Sequence, residues 1–199
     1  MRRAALAATA IVLLTVVPVP AAHIYLQEAN YVLPANANSL VITVLADGGE
    51  TVAGVNLYLE IQAGGPKFPV LVPDKPVDLT SAGLIFVGAG QVQLRDPGNS
   101  DRAIAVSATT SEPGDNRLAT GTLALIKLST VGVGNGTYSL AFSALGFNSG
   151  FTDADGVDVP TTFDSGTLTV VPEPVAWIQL LGLIGVGPAV LLCRRRLGK

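Results

Sequence analysis

The chain has 199 residues, 49% of them hydrophobic, and a formal net charge of −3. Six of its twelve basic residues (Arg2, Arg3, Arg194, Arg195, Arg196 and Lys199) lie at the two ends, so residues 23–170 hold six basic against fourteen acidic residues, a net −8. Such an acidic stretch argues against nucleic acid as a partner, which needs clustered Lys and Arg. With one histidine, His23, and one cysteine, Cys193, the chain holds no multi-histidine zinc site and no disulfide.

Arg2 and Arg3 precede an apolar run from Ala4 to Val17, followed by small residues and prolines through Ala22. A basic start, an apolar core of roughly 7–15 residues and a small-residue cleavage site define a secretory signal peptide. Residues 1–22 are therefore read as that signal, with the mature chain starting near Ala22 or His23. The other reading is an uncleaved anchor, although the run falls short of the ~20 residues of a membrane span. Removing both end segments leaves residues 23–170, one domain's worth. Its only histidine then sits at the very start, which argues against a Ser-His-Asp triad.

Several segments of the domain alternate apolar and polar residues with period two, the pattern of half-buried strands. The clearest is Val55, Leu57, Leu59 and Ile61 against Asn56, Tyr58 and Glu60. Strands are also expected at 24–28, 40–45, 84–87, 91–94, 103–108, 123–127, 138–142 and 167–171. The segment from Gly64 to Ala82 contains Pro66, Pro69, Pro73 and Pro76, and reads as an extended edge or long connection. Asn135-Gly136 between two apolar runs predicts a hairpin. About nine strands with regular turns and no amphipathic helix predict an all-β antiparallel sandwich.

Asp153-Ala154-Asp155-Gly156-Val157-Asp158 is the densest acidic cluster. Alternating aspartates around a glycine are what a calcium loop needs, because oxygen ligands must converge at ~2.3–2.6 Å. Asp153, Asp155 and Asp158 are the candidate ligands, and calcium is the one cofactor to consider; an ordinary Asp-Gly turn is the alternative. Glu60, Asp101, Glu112 and Asp115 are the carboxylates that a glycoside hydrolase would draw on, but nothing selects a pair, and an enzyme is not expected. Tyr25, Tyr31, Tyr58 and Phe68 are candidates for a sugar-stacking face.

The order of Leu118-Ala119-Thr120-Gly121-Thr122-Leu123, Gly136-Thr137-Tyr138-Ser139-Leu140 and Gly166-Thr167-Leu168-Thr169-Val170 resembles the second half of a cohesin-type domain. An opening strand at Ile24, a second at Leu40, and Val52-Ala53-Gly54-Val55 leading into an alternating strand fit the first half. The resemblance implies a nine-stranded jelly-roll sandwich. The family's dockerin partnership is not carried over, since no dockerin-like segment is present in this chain.

At the C-terminus, Val171-Pro172-Glu173-Pro174 precedes an apolar run over 175–193, and Arg194, Arg195 and Arg196 follow at once. The run is long enough to span a bilayer, and the arginines hold its end in the cytoplasm, so the domain faces outward. Two prolines keep the chain around Glu173 extended. A Pro-Glu-Pro motif (Pro172, Glu173, Pro174), an apolar helix and an arginine cluster resemble the PEP-CTERM sorting signal. That resemblance implies an exosortase as processing partner and an association with extracellular polysaccharide. The expectation is an exported, non-catalytic surface or matrix protein that is membrane-anchored before processing and binds polysaccharide or another surface protein. The alternatives are a small secreted carbohydrate-active hydrolase and a structural protein that self-associates through its edge strands.

Overall fold

The computed structural model describes residues 22–62, 69–95, 101–112, 114–142 and 149–172. The signal segment up to residue 21, Phe68, Glu173, Pro174, the apolar run 175–193 and the arginine cluster lie outside the described residues. In chain order the strands are β1 (Ala22–Leu26), β2 (Asn30–Pro34), β3 (Leu40–Asp47), β4 (Thr51–Val52), β5 (Gly54–Gln62), β6 (Val70–Leu71), β7 (Val77–Asp78) and β8 (Gly90–Arg95). They continue with β9 (Ala103–Thr109), β10 (Arg117–Leu118), β11 (Gly121–Ser129), β12 (Gly136–Phe142), β13 (Gly150–Thr152), β14 (Asp158–Val159), β15 (Thr161–Asp164) and β16 (Gly166–Val171). Nine of them reach five residues or more, and the rest are short edge and rim pieces. No helix among the described residues is long and apolar enough to cross a membrane.

The strands form a sandwich. One sheet has the order β15-β1-β3-β11-β6, with β7 also paired to β11. The other has the order β14-β13-β5-β12-β16-β2, and β9 and then β8 extend it from β5. Alternation places Val55, Leu57, Leu59 and Ile61 of β5 inside, opposite Ile24, Ile42, Val44, Ile126 and Leu128 of the facing sheet, all buried. Each such side chain contributes roughly 1.5–3 kcal/mol by leaving water. In β11 the register shifts between Thr122 and Ala124, so Leu123 and Ala124 are both fully buried in succession. That bulge is why the alternation around Leu125 and Lys127 is imperfect.

The first and last strands close one side of the sandwich. β1 lies in one sheet and β2 in the other, and β15 and β16 switch sheets in the same way. The two crossings run together, since β1 pairs with β15 and β2 with β16, both in parallel. Gly166 stands at the crossing. A Cβ there would lie 2.3 Å from Leu26 Cδ1 and 3.1 Å from the carbonyl oxygen of Ala29. Leu26 is itself buried and has little room to move aside.

Three expectations are corrected. The stretch 84–87 is a succession of turns, bracketed by Gly83 at φ 88° and Gly88 at φ 74°. Two of its N–H groups are satisfied locally, with Leu84 N–H donating to Ser81 O (3.1 Å) and Val87 N–H to Leu84 O (3.2 Å), while Ile85 N–H donates to Thr122 O of β11 (2.9 Å). It buries Leu84 and Phe86 as a plug under the sandwich, Phe86 stacking on Phe151 with ring centroids 6.4 Å apart. Asn135-Gly136 makes no hairpin, because β11 and β12 belong to different sheets. Both edges of β11 are already taken, by β3 on one side and by β6 and β7 on the other. Thr130, fully buried, anchors the chain as it leaves β11: its hydroxyl donates to Pro34 O (2.6 Å) and accepts from Ala37 N–H (3.0 Å). Finally, Tyr58 lies on the outward parity of β5 yet is 92% buried.

Gly166→Ala should destabilise the fold by about 1–3 kcal/mol, as overpacking of a tight site does, read as a lower midpoint in denaturant. An unchanged midpoint would show that the β1–β2 corner gives way more easily than its burial implies.

Candidate functional site

The outer face of the β8-containing sheet is divided. On the β2–β16–β12 side it is a polar ladder, with Asn30 Oδ1 accepting from the hydroxyls of Thr167 (2.9 Å) and Thr169 (3.1 Å). On the β5–β9–β8 side the rows run Asn56–Ser107–Val92 and Tyr58–Ala105–Leu94. Val92 and Leu94 are 57% and 60% exposed. With Asn56, Ala105 and Ser107 they line an open hollow of about 350 Å³, and Asp158 of β14 forms part of its rim. Apolar contact area with a few polar groups at its border is what a protein partner uses.

The exposure of Val92 and Leu94 follows from what their neighbours do. Gln91 and Gln93 occupy the opposite parity of β8 and turn toward β7. Gln91 accepts from Leu79 N–H (2.9 Å) and donates to Val77 O (2.7 Å), and Gln93 donates to the same carbonyl. The amides thus complete hydrogen bonds that the two-residue strand β7 leaves open, because unpaired buried backbone groups are costly. This fixes the register of β8 and sends its valine and leucine outward.

A second hollow, of about 310 Å³, lies on the glutamine side of β8, lined by Lys75, Asp78, Thr80, Ser81, Gln93 and Lys127 among others. Asp78 Oδ1 accepts the N–H groups of Thr80 (2.9 Å) and Ser81 (3.1 Å), and the Ser81 hydroxyl donates to Oδ2. Burial pushes this carboxyl up, but the Ser81 hydroxyl, the two N–H groups and the charge of Lys127 outweigh it and hold it below its ordinary value.

Of the sequence candidates, Asp158 alone among the described residues borders the apolar hollow. Asp153 serves the turn between β13 and β14, its Oδ1 accepting N–H bonds from Asp155 (2.9 Å) and Val157 (2.8 Å). Asp155 is exposed, and Asp158 faces the apolar hollow. Among the described residues no three His, Cys, Asp or Glu side chains are grouped to hold a metal ion. Glu60 lies in β5, Asp101 in the turn before β9, and Glu112 and Asp115 in the turn before β10, where Asp115 pairs with Arg117 at 2.7 Å. The tyrosines do not share a face. Tyr25 stacks on His23 in β1 (centroids 5.0 Å), whereas the Tyr31 hydroxyl bridges from β2 to the backbone of Thr43 in the facing sheet (3.1 Å). His23 also meets Asp164 at 3.1 Å across the β1–β15 pair.

Asp153→Ala should cost about 1 kcal/mol through the loss of two turn hydrogen bonds, while Asp155→Ala should leave the melting temperature unchanged. With Asp153 serving the turn, millimolar calcium should move the melting temperature of neither; a rise confined to the wild type would instead assign the loop to calcium. A carboxylate held below its unfolded pKa of about 3.9 adds stability above that value and loses it as pH falls through the lower folded value. The stability advantage of wild type over Asp78→Asn should therefore be full at pH 5 and shrink as pH falls below about 3.9. A gap that stays constant with pH in thermal melts would refute the assignment.

No protein-family model and no curated protein sequence matches the chain. Solved structures do match. A non-cellulosomal cohesin from Archaeoglobus fulgidus superposes with a TM-score of 0.55 at 17% identity, over 80% of this chain and 97% of that one. The third ScaC cohesin of Acetivibrio cellulolyticus, solved with the ScaB dockerin, gives 0.57 at 10% identity over 75% and 99%. A type I cohesin–dockerin complex from Clostridium thermocellum gives 0.55 at 13% over 77% and 95%. The chain is an all-β sandwich with the cohesin fold, which is the architecture that its turns and alternation resemble.

Proposed function

We propose that this chain is an exported, non-catalytic binding module that docks a protein partner on the outer face of β5, β9 and β8. The observation that carries the reading is the exposed Val92–Leu94 pair, bordered by Asn56, Ser107 and Asp158 in one open hollow. The fold supports it, because two of the cohesins it superposes on were solved in complex with a dockerin. The partner here is a surface or matrix protein with a complementary apolar patch. The segment before Ala22 acts as the export signal, which leaves Ala22, buried in β1, with the mature domain. The tail from Val171 directs the domain to an exosortase, which releases it from its transient membrane anchor to the cell surface or the extracellular polysaccharide matrix. β16 supports this arrangement in one respect: it ends at Val171, directly before Pro172, so the motif follows the folded domain without a linker.

Self-association is the second reading, favoured by the position of β8, which among the described residues pairs only with β9 and leaves its far edge open. Leu94→Glu tests both, because a buried unpaired charge disrupts an apolar contact. Native protein crosslinked on intact cells should give a heterologous adduct that Leu94→Glu loses, with sedimentation of the purified full chain independent of concentration. A concentration-dependent shift that the variant abolishes would assign the face to a second copy. Adducts undiminished in the variant would place docking elsewhere. Intact mass of the native protein from membranes and medium reads the sorting step: a species ending near Pro174 is expected, and universal retention of residues 175–199 would refute processing.

A further inference from the structure

The glutamine side of β8 holds a feature that protein docking does not use. In a domain with six basic residues against fourteen acidic ones, two of the six, Lys75 and Lys127, line one hollow. The backbone brings them together: Val72 N–H donates to Lys127 O (3.2 Å), and Lys127 N–H donates to Pro76 O (2.7 Å), so residues 72–76 are pinned beside Lys127. Neither lysine forms an ion pair within 4.0 Å among the described residues. Lys75 also has φ 40°, although it is not glycine and precedes Pro76, which disfavours that conformation. A side chain held so against its backbone preference is a recurrent property of ligand-holding positions.

Two further observations define the ligand. Thr80 and Ser81 line the first hollow, so its wall has hydroxyl oxygens to offer to a ligand's hydroxyls. A second depression of about 340 Å³ adjoins the first, sharing Lys75, Gln91 and Gln93 and adding the flat rings of Pro73 and Pro76. The two together form a groove rather than a point site, each part at the low end of the size range of small-ligand pockets. Asp78 is part of the same wall. Its carboxylate leaves the two lysines with one net positive charge, which matches a monoanionic carboxylate better than a phosphate group of charge about −1.5 to −2.

We propose that this groove binds a carboxylated saccharide, a chain of uronic-acid-type units. One carboxylate is held between Lys75 and Lys127, with ring hydroxyls directed to Thr80 and Ser81. The site lies on the opposite side of β8 from the docking face, and it takes from the proposed function only the extracellular setting in which such polymers occur.

Titration calorimetry of the purified full-length chain tests this with three probes: trigalacturonate, a neutral trisaccharide of the same size, and inorganic phosphate. Trigalacturonate should bind, with affinity falling as salt is added. Lys75→Gly and Lys127→Gln should each weaken it tenfold or more. Lys75→Gly should keep or raise the melting temperature, since glycine favours φ 40°, so its loss of binding reports the ammonium and not the fold. Leu94→Glu should leave saccharide affinity unchanged while it removes the protein adduct, which separates failure of this site from failure of the docking face. Absence of heat with trigalacturonate, equal binding of the neutral sugar, displacement by phosphate at comparable affinity, or indifference to both lysine variants would each overturn the proposal.

Discussion

The structure depends on the pairing of its first and last strands. β1 lies parallel to β15 and β2 parallel to β16, so the segment at each end of the domain belongs to both sheets. Ala22 N–H donates to Pro160 O at 2.9 Å, across nearly the full length of the domain. Without this pair the two sheets are hinged only by their connecting loops and the core stays open along one side. Pairings between residues so distant in sequence close the largest loops and form slowly. The domain therefore completes its fold only when residues up to Val171 are available, one position before the Pro-Glu-Pro motif.

At the far end of the sandwich Thr130 does comparable work with a single side chain. It is the buried polar residue of the described core, and it satisfies Pro34 O and Ala37 N–H. Its own N–H and C=O bond to Ala37 O and Asn36 N–H. Asn36, at φ 58°, gives its side-chain oxygen to Gly132 N–H at 3.1 Å; asparagine tolerates this left-handed conformation better than most residues. These local bonds turn the chain from β11 in one sheet toward β12 in the other. Asn135-Gly136 follows that crossing and so cannot act as a two-residue hairpin turn.

What could be read from the sequence follows from how local each signal is. β5 was legible because Val55, Leu57, Leu59 and Ile61 sit in the middle of a sheet, where one parity meets the core over the whole strand. β2 was not, because Asn30–Pro34 is an edge strand with Val32 61% exposed and a single buried residue, Leu33. The proline-rich connection was legible as an edge, since proline cannot donate to a ladder; β6 and β7 are short pieces laid against β11. The stretch 84–87 has strand composition, but the glycines on either side set turns, and burial of Phe86 is a tertiary fact. For the candidate site the sequence pointed to aspartates and tyrosines, whose carboxylates and rings serve turns and packing here. The exposed apolar pair was hidden by its own pattern: alternation alone would place Val92 and Leu94 inside and Gln91 and Gln93 in water. A glutamine pair at alternate positions beside a short, proline-flanked strand was the only available signal of the inversion.

That inversion gives β8 two distinct surfaces from one period. Successive side chains of a strand point to opposite faces, so whatever fixes one face determines the other. The need to satisfy Val77 O and Leu79 N–H directs both glutamines toward β7. The same bonds hold one wall of the lysine-lined groove in place and expose Val92 and Leu94 to a partner. Replacing the glutamines by apolar residues would leave the β7 backbone groups unpaired and remove the reason for this register, so both surfaces would change together. The docking face and the groove are thus coupled through backbone hydrogen bonding at the open edge of the sandwich. A surface built this way is carried by strands and not by loops, so any partner it takes would cost little ordering entropy.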